Sequence, residues 1–387
     1  MTSRSGDLYD EATALLDRAA FVDPAIHALE LRRIFATSWL FVGPANWVER
    51  PGDWMTTRMG DVPVVVWRDH AGIPRAFVNL CPRCDRLPCI GARGHASRLG
   101  CARHGTAGDG DSDLTPLPGL DIHGGLVFAC LDAAALPFGD WLGPFARLLD
   151  AALDGVGGSV EAAGNASLPW SFEGNWKLAV ERFCGDIDGG QFAHAATDEA
   201  MGVSPPTTRR AGTQVAVGPG AATIGADGEA GRGRTVPMGF ALFPNLSFDA
   251  ATASLHVWHP VGPSRTDVDT YCLVARDAAA ETREAALRAT RFAWGAAGLR
   301  SQDLVGAWRS ITASSAGLHA RRVPLTLRAG RDAERVDAAG CFGPLLGESN
   351  QRAFYGWWQT RLRAANERPT LATPLRVGGE RASAAAG

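Results

Sequence analysis

Short apolar runs bounded by Gly, Pro or charged residues mark the first half of the chain. Residues 62–67, 76–80 and 125–131 are such runs, and each reads as a strand. They predict a small β domain over residues 37–151. Two cysteine-bearing loops, 81–89 and 101–104, lie inside it. Further on, residues 175–194 begin with helical periodicity and become glycine-rich at Gly185, Gly189 and Gly190. Residues 211–233, rich in Gly and Ala, predict a long flexible loop. Residues 240–250, 253–259 and 268–275 read as strands of a second sheet, and 278–294, 302–313 and 349–363 as helices. In the last helix Phe354, Trp357, Trp358 and Leu362 recur at helical spacing and should share one face. Residues 375–387 are expected to be a disordered tail. No internal repeat is visible.

A chain of 387 residues can bury a large core and is expected to form two domains. The formal net charge of -3 gives no reason to expect nucleic acid or an anionic membrane as partner. No stretch approaches the roughly 18 apolar residues of a membrane span. No apolar run follows Met1 that would read as a secretory leader, and eight cysteines in a chain this long do not resemble a secreted disulfide scaffold. The cytoplasm is therefore the expected location.

The chemistry begins at Cys81-Pro82-Arg83. Seventeen residues, 84–100, separate it from Cys101-Ala102-Arg103-His104. Such spacing is that of a Rieske iron–sulfur site, in which two thiolates hold one iron and two imidazoles the other. Cys81, Cys101 and His104 are in place, but Arg83 stands at the first imidazole position. Arginine stays protonated and has no lone pair to give a metal. Cys84 makes a different set available. Cys81-x-x-Cys84 with Cys101-x-x-His104 is Cys₃His spacing, usable for zinc or an unusual cluster. The three remnant ligands can equally be buried polar residues left in a loop pair. Cys89, Cys130, Cys272 and Cys341 read as packed residues, and His95, His123, His256 and His259 as structural ones.

Motifs spread along nearly the whole chain carry a resemblance. Gly52-Asp53 and Arg75-Ala-Phe-Val-Asn79 lead into the first cysteine loop. His123-Gly-Gly-Leu-Val-Phe128 and Trp141-Leu-Gly-Pro-Phe145 follow the second. Asn175-Trp-Lys-Leu-Ala-Val-Glu-Arg-Phe-Cys-Gly-Asp186, Phe243-Pro-Asn-Leu-Ser247 and Trp258-His-Pro-Val-Gly-Pro263 complete the set. With these segments the chain resembles the large (α) subunit of Rieske-type non-haem iron aromatic-ring-hydroxylating dioxygenases.

The resemblance implies an α+β fold: a small all-β Rieske-like domain, residues 37–151, and a helix-grip (START-like) catalytic-type domain with an antiparallel sheet, residues 152–374. A helical N-terminal segment, residues 1–36, would pack on the latter. It also implies two cofactors, a [2Fe–2S] Rieske cluster and a mononuclear Fe(II) held by two histidines and a carboxylate. On the family's pattern Asp186 is the aspartate bridging a neighbouring subunit's cluster to the iron, and His194 is the second iron histidine. Gly189 falls on the first, and Leu304 on the distant carboxylate, with Asp303 one residue before it. A one-residue shift of register would restore Asp303. His194 reads either as an iron ligand or as a hydrogen-bonded relic. Arg182, four residues before Asp186, would share its helix face and could fill an emptied iron pocket with Asp186 or Asp188, or form a solvated surface pair.

Two functions therefore compete. One is a non-catalytic α-subunit homologue, serving as assembly partner of an intact oxygenase subunit or binding a hydrophobic ligand. The other is an active oxygenase that hydroxylates an aromatic or polycyclic substrate with dioxygen and electrons derived from NAD(P)H. The resemblance implies a trimer, or a mixed ring with an intact α subunit and a small β subunit, in which His104 of one subunit faces Asp186 of the next. A ferredoxin or reductase is implied only for the active case.

Overall fold

The structure is a computed structural model that describes residues 7–105, 112–185, 212–217, 220–226, 236–337, 340–344 and 346–364. The chain opens with a short hairpin, β1 (Tyr9–Asp10) and β2 (Leu15–Leu16), followed by a 3₁₀ turn, Arg18–Phe21. Helix α1, Pro24–Glu30, starts where Asp23 accepts a hydrogen bond from the Ala25 N–H and Pro24 occupies the first turn. This segment is pinned to distant parts of the chain. The Leu8 and Tyr9 N–H groups donate to the Gln359 side chain, and Glu30 is buried against Lys177 and Trp358.

The Rieske-like region contains two small antiparallel sheets. One contains β3 (Leu40–Pro44), β8 (Gly119–His123) and β9 (Leu126–Cys130) in the order β3-β9-β8. The other contains β4 (Asp53–Met59), β5 (Val62–Arg68), β6 (Pro74–Val78) and β7 (Arg93–His95) in the order β6-β5-β4-β7. Gly124 and Gly125 turn the β8–β9 hairpin with φ of 56° and 86°, which L side chains resist. Trp54, Val65, Trp67, Phe77, Cys89, Leu99 and Leu114 form a separate small core in this region. Helices α2 (Phe138–Leu142) and α3 (Ala146–Val156) follow.

The catalytic-type region is built on a ten-stranded antiparallel sheet. It takes in β10 (Val160–Ala162), β11 (Leu168–Phe172), β12 (Gly212–Val217), β13 (Ala221–Ala226), β14 (Val236–Leu242), β15 (Leu246–Asp249), β16 (Ser254–Gly262) and β17 (Arg265–Ala275). It also takes in β19 (Arg335–Asp337) and β20 (Gly340–Pro344), in the order β10-β17-β16-β15-β14-β13-β12-β20-β19, with β11 paired to β17. A two-residue strand, β18 (Leu325–Thr326), instead joins β2. Among the described residues, helices α4 (Trp176–Cys184), α5 (Ala280–Trp294), α6 (Leu299–Ser315) and α7 (Ser349–Arg363) accompany the sheet.

Two expectations are corrected. The Gly/Ala-rich stretch is no continuous loop, because β12 and β13 pair along it and continue onto β20 and β14. The alternating Thr213, Val215 and Val217 are β-branched strand formers, a signal that the surrounding Gly and Ala obscured. The single strand expected at 240–250 is two strands, β14 and β15, paired around the Phe243-Pro244-Asn245 turn. Proline has no N–H to continue a ladder. In α7, Phe354, Tyr355, Trp358 and Leu362 are buried, and Trp357 is half-buried against Phe243 at 5.3 Å between ring centroids. Tyr355 was absent from the expected face.

Candidate metal site

The two cysteine loops meet and use the same turn twice. In the first, the Cys84 and Asp85 N–H groups return to the Cys81 carbonyl at 3.2 and 2.9 Å. In the second, the His104 and Gly105 N–H groups return to the Cys101 carbonyl at 3.1 and 2.7 Å. Each turn closes on a residue in the left-handed region, Asp85 at φ 54° and Gly105 at φ 64°. The first loop is further closed by Asn79. Its buried amide donates to the Cys89 carbonyl and accepts from the Cys89 N–H at 2.9 and 3.0 Å.

These turns aim four side chains at one point. Cys81, Cys84, Cys101 and His104 each place one donor atom within 4.8 Å of all the others. Cys81 Sγ lies 3.4 Å from His104 Nδ1, and Cys84 Sγ lies 3.7 Å from Cys101 Sγ. Cys81 and Cys101 are buried, Cys84 and His104 half-buried, and Arg83 exposed. The backbone N–H groups of Arg103 and His104, helped by Cys81 and Cys84, bring the Cys101 thiol down to about 6. The Cys84 thiol moves upward: the Arg86 N–H pulls it down, but desolvation and its cysteine neighbours outweigh that pull.

The second site expected from the sequence falls largely outside the described residues. Helix α4 is capped at its start by Asn175, whose side chain accepts from the Lys177 N–H at 3.1 Å, and it ends at Gly185. Asp186, Asp188, Gly189 and His194 lie beyond that end, outside the described residues. The pairing proposed for Arg182 with Asp186 or Asp188 therefore rests on sequence alone; Arg182 itself is half-buried in the last turn of α4. On α6 the buried face carries Ser301, Leu304, Trp308, Thr312 and Ser315. Leu304 is part of the main core, and Asp303 is exposed.

Sequence reading missed two buried polar networks. Glu30 and Lys177 form an ion pair at 2.5 Å. Asp249 accepts from Arg300 at 2.9 Å and from Thr252 at 2.7 Å. Thr252 continues through Ser254 to His256, whose Nδ1 meets Thr270 at 3.0 Å. Burial pushes His256 down to about 3, so it is neutral at ordinary pH. The partners lie 51 residues apart for Asp249–Arg300 and 147 for Glu30–Lys177, and no local spacing signals either pair. The four histidines read as structural each have a partner: His95 with Asp53, His123 with Asp150, His259 with Asp269, and His256 as above.

The family model described as ring hydroxylating alpha subunit (catalytic domain) matches residues 160–364, and the Rieske [2Fe-2S] domain model matches residues 38–122. The chain belongs to the ring-hydroxylating alpha-subunit family. This alpha-subunit homologue is 28% identical to the biphenyl 2,3-dioxygenase subunit alpha of Rhodococcus jostii, over 91% of this chain and 90% of that one. It is 27% identical to a benzene 1,2-dioxygenase subunit alpha of Pseudomonas putida, over 92% and 93%. Naphthalene 1,2-dioxygenase from Rhodococcus sp., solved with indole bound, has the same fold with a TM-score of 0.79 at 25% identity, covering 91% of this chain and 95% of that chain. For an alpha subunit the family implies a [2Fe–2S] Rieske cluster and a non-haem iron. Among the described residues no helix is long and apolar enough to cross a membrane.

Proposed function

We propose that this chain is a non-catalytic homologue of the ring-hydroxylating alpha subunit, retained as an assembly partner of an intact oxygenase subunit. The observation that carries it is Arg83 at the first imidazole position of the Rieske pattern. An exposed, permanently charged guanidinium cannot ligate the second iron. The retained donors do not fit a two-iron centre either. In that centre the thiolate pair and the imidazole pair sit on different irons, yet Cys81 and His104 are in contact at 3.4 Å.

The iron position supports the same reading. Leu304, which falls at the carboxylate position on the family's pattern, is buried on α6, and Asp303, the alternative, is exposed. In the sequence Gly189 replaces one histidine, so His194 would be the lone protein ligand. A facial triad reduced to one imidazole loses its chelate. Assembly is supported by what persists. His104 and Asp186, the residues expected to face each other between subunits, are both retained. With His104 Nδ1 turned toward Cys81, its Nε2 would make the contact. Leu87 and Ile90, 47% and 81% exposed, add apolar surface on the first cysteine loop.

The test is co-expression with an intact alpha subunit, followed by native mass spectrometry and an oxygenation assay with a reductase. A mixed ring, with no turnover by this chain alone, is the expected result. A strict monomer that ignores the intact subunit would remove the assembly role. Turnover of an aromatic substrate by this chain alone would overturn the non-catalytic reading.

A further inference from the structure

We propose that Cys81, Cys84, Cys101 and His104 form a structural site for a single tetrahedral zinc ion, which has taken over the position of the two-iron cluster. The proposal rests on the reading above that the [2Fe–2S] centre is lost, and it names what replaced it.

The first support is metric. Around a tetrahedral zinc with Zn–S of about 2.3 Å and Zn–N of about 2.0–2.1 Å, two sulfurs lie about 3.8 Å apart and a sulfur and a nitrogen about 3.6 Å. The corresponding separations here are 3.7 Å for Cys84 Sγ to Cys101 Sγ and 3.4 Å for Cys81 Sγ to His104 Nδ1. All four donors lie within 4.8 Å of one another, so an ion at their centre would draw the wider pairs in by up to about 1 Å to reach all four. A bridged iron pair would hold Cys81 and His104 apart, on different irons.

The second support is the backbone. Both loops place a cysteine, two intervening residues and a second donor on a turn that returns two N–H groups to the first cysteine's carbonyl. Each then leaves through a left-handed residue, Asp85 or Gly105. The four donors thus come as two matched pairs. Cys84, the fourth donor, has no role in the Rieske pattern, yet it converges on the same point as the three remnants.

The third support is charge. Three thiolates and a neutral imidazole around Zn²⁺ leave one net negative charge. Arg83, Arg86, Arg98 and Arg103 lie in or beside these two loops and are all exposed, so they can screen it from the solvent side. Arg83 changes meaning in this light. It blocks the second iron but is harmless to a mononuclear site, because its neighbour Cys84 supplies the ligand. The zinc would staple two loops above the small core of Trp54, Trp67 and Leu99, and metal affinity would add to folding stability there.

The test uses the full chain, purified without chelator from iron-rich medium and then exposed anaerobically to iron and sulfide. Elemental analysis should give about one zinc per chain and no stoichiometric labile sulfide. Cobalt exchanged into the site should show the visible d–d bands of a tetrahedral thiolate centre. Cys84→Ser should lose most of the zinc, and Arg83→Ala should keep it. If Cys84→Ser fails to fold, the wild-type protein still decides: chelator-driven zinc release should expose Cys81, Cys84 and Cys101 together to a thiol reagent. Iron and sulfide near two each per chain, unaffected by Cys84→Ser, would overturn both the zinc site and the loss of the Rieske centre. A chain that folds and binds no metal would overturn the zinc site alone, leaving the assembly role intact.

Discussion

Replacing Lys177 with Met should destabilise the protein severely, because it isolates a buried carboxylate. Lys177 and Glu30 are 0% and 1% exposed and 2.5 Å apart. Glu30 also accepts from the indole N–H groups of Trp176 and Trp358 at 3.0 and 2.8 Å. The ammonium lies over the rings of Trp176, Trp358 and Phe21, at 5.2, 5.2 and 5.7 Å from their centroids. Burial holds it below the usual lysine range, although Glu30 pulls it upward. Removing one partner of such a pair costs about 3–5 kcal/mol, since the remaining charge has neither water nor counter-ion. Lys177→Met should therefore lower the unfolding free energy by about that amount. Glu30→Gln on the Lys177→Met background should recover part of the loss, because no charge is stranded, although the amide oxygen can accept from only one of the two indoles, which donate to different carboxylate oxygens. Urea unfolding of wild type, both single variants and the double variant closes the cycle. A coupling of about 2 kcal/mol or more is expected for contacting charged groups. A single-variant loss below about 1 kcal/mol, or a coupling near zero, would show that the pair is solvated and does not tie the N-terminal segment to α4.

Three further outcomes can be checked separately. His256 is held at about 3 against an ordinary value of 6.5, so the unfolded chain binds its proton first as pH falls. Stability should drop through the window from 6.5 toward 3, by at most about 1.4 kcal/mol per pH unit from this group, and His256→Gln should flatten that slope in pH-dependent urea unfolding. Gly125→Ala should destabilise the β8–β9 hairpin by about 1–3 kcal/mol, because φ is 86° and a Cβ would sit 2.5 Å from the Val160 carbonyl oxygen; an unchanged melting temperature would refute this. Neither Arg83→His nor Gly189→His should restore oxygenation of an aromatic substrate with a reductase, because ligands that act as a unit are non-additive; product detected by chromatography from either variant would refute that.

Periodicity placed several of the strands and the long helices, while the two-domain architecture was implied by the resemblance. The runs at 62–67, 76–80 and 125–131 became β5, β6 and β9, and the 349–363 pattern became α7 with the same limits. An apolar stripe or alternation is a local property, so it survives without knowledge of the partner. The ligand spacing was legible for the same reason. Cys81-x-x-Cys84 and Cys101-x-x-His104 each fit one tight turn, and Arg83 announced the missing imidazole. What only the tertiary structure decided is what crosses long separations. Strands β12 and β13 lie in a Gly/Ala-rich stretch whose strand signal is limited to Thr213, Val215, Val217, Thr223 and Ile224; their neighbours β14 and β20 pair with them along the backbone. The convergence of the four donors could not be read from spacing. Spacing says which atoms could share a metal, whereas only the fold brings all four within 4.8 Å of one another. The pairs Glu30–Lys177 and Asp249–Arg300 were illegible as well, since a buried charge is tolerated only where the fold brings its counter-ion, and no sequence window contains both.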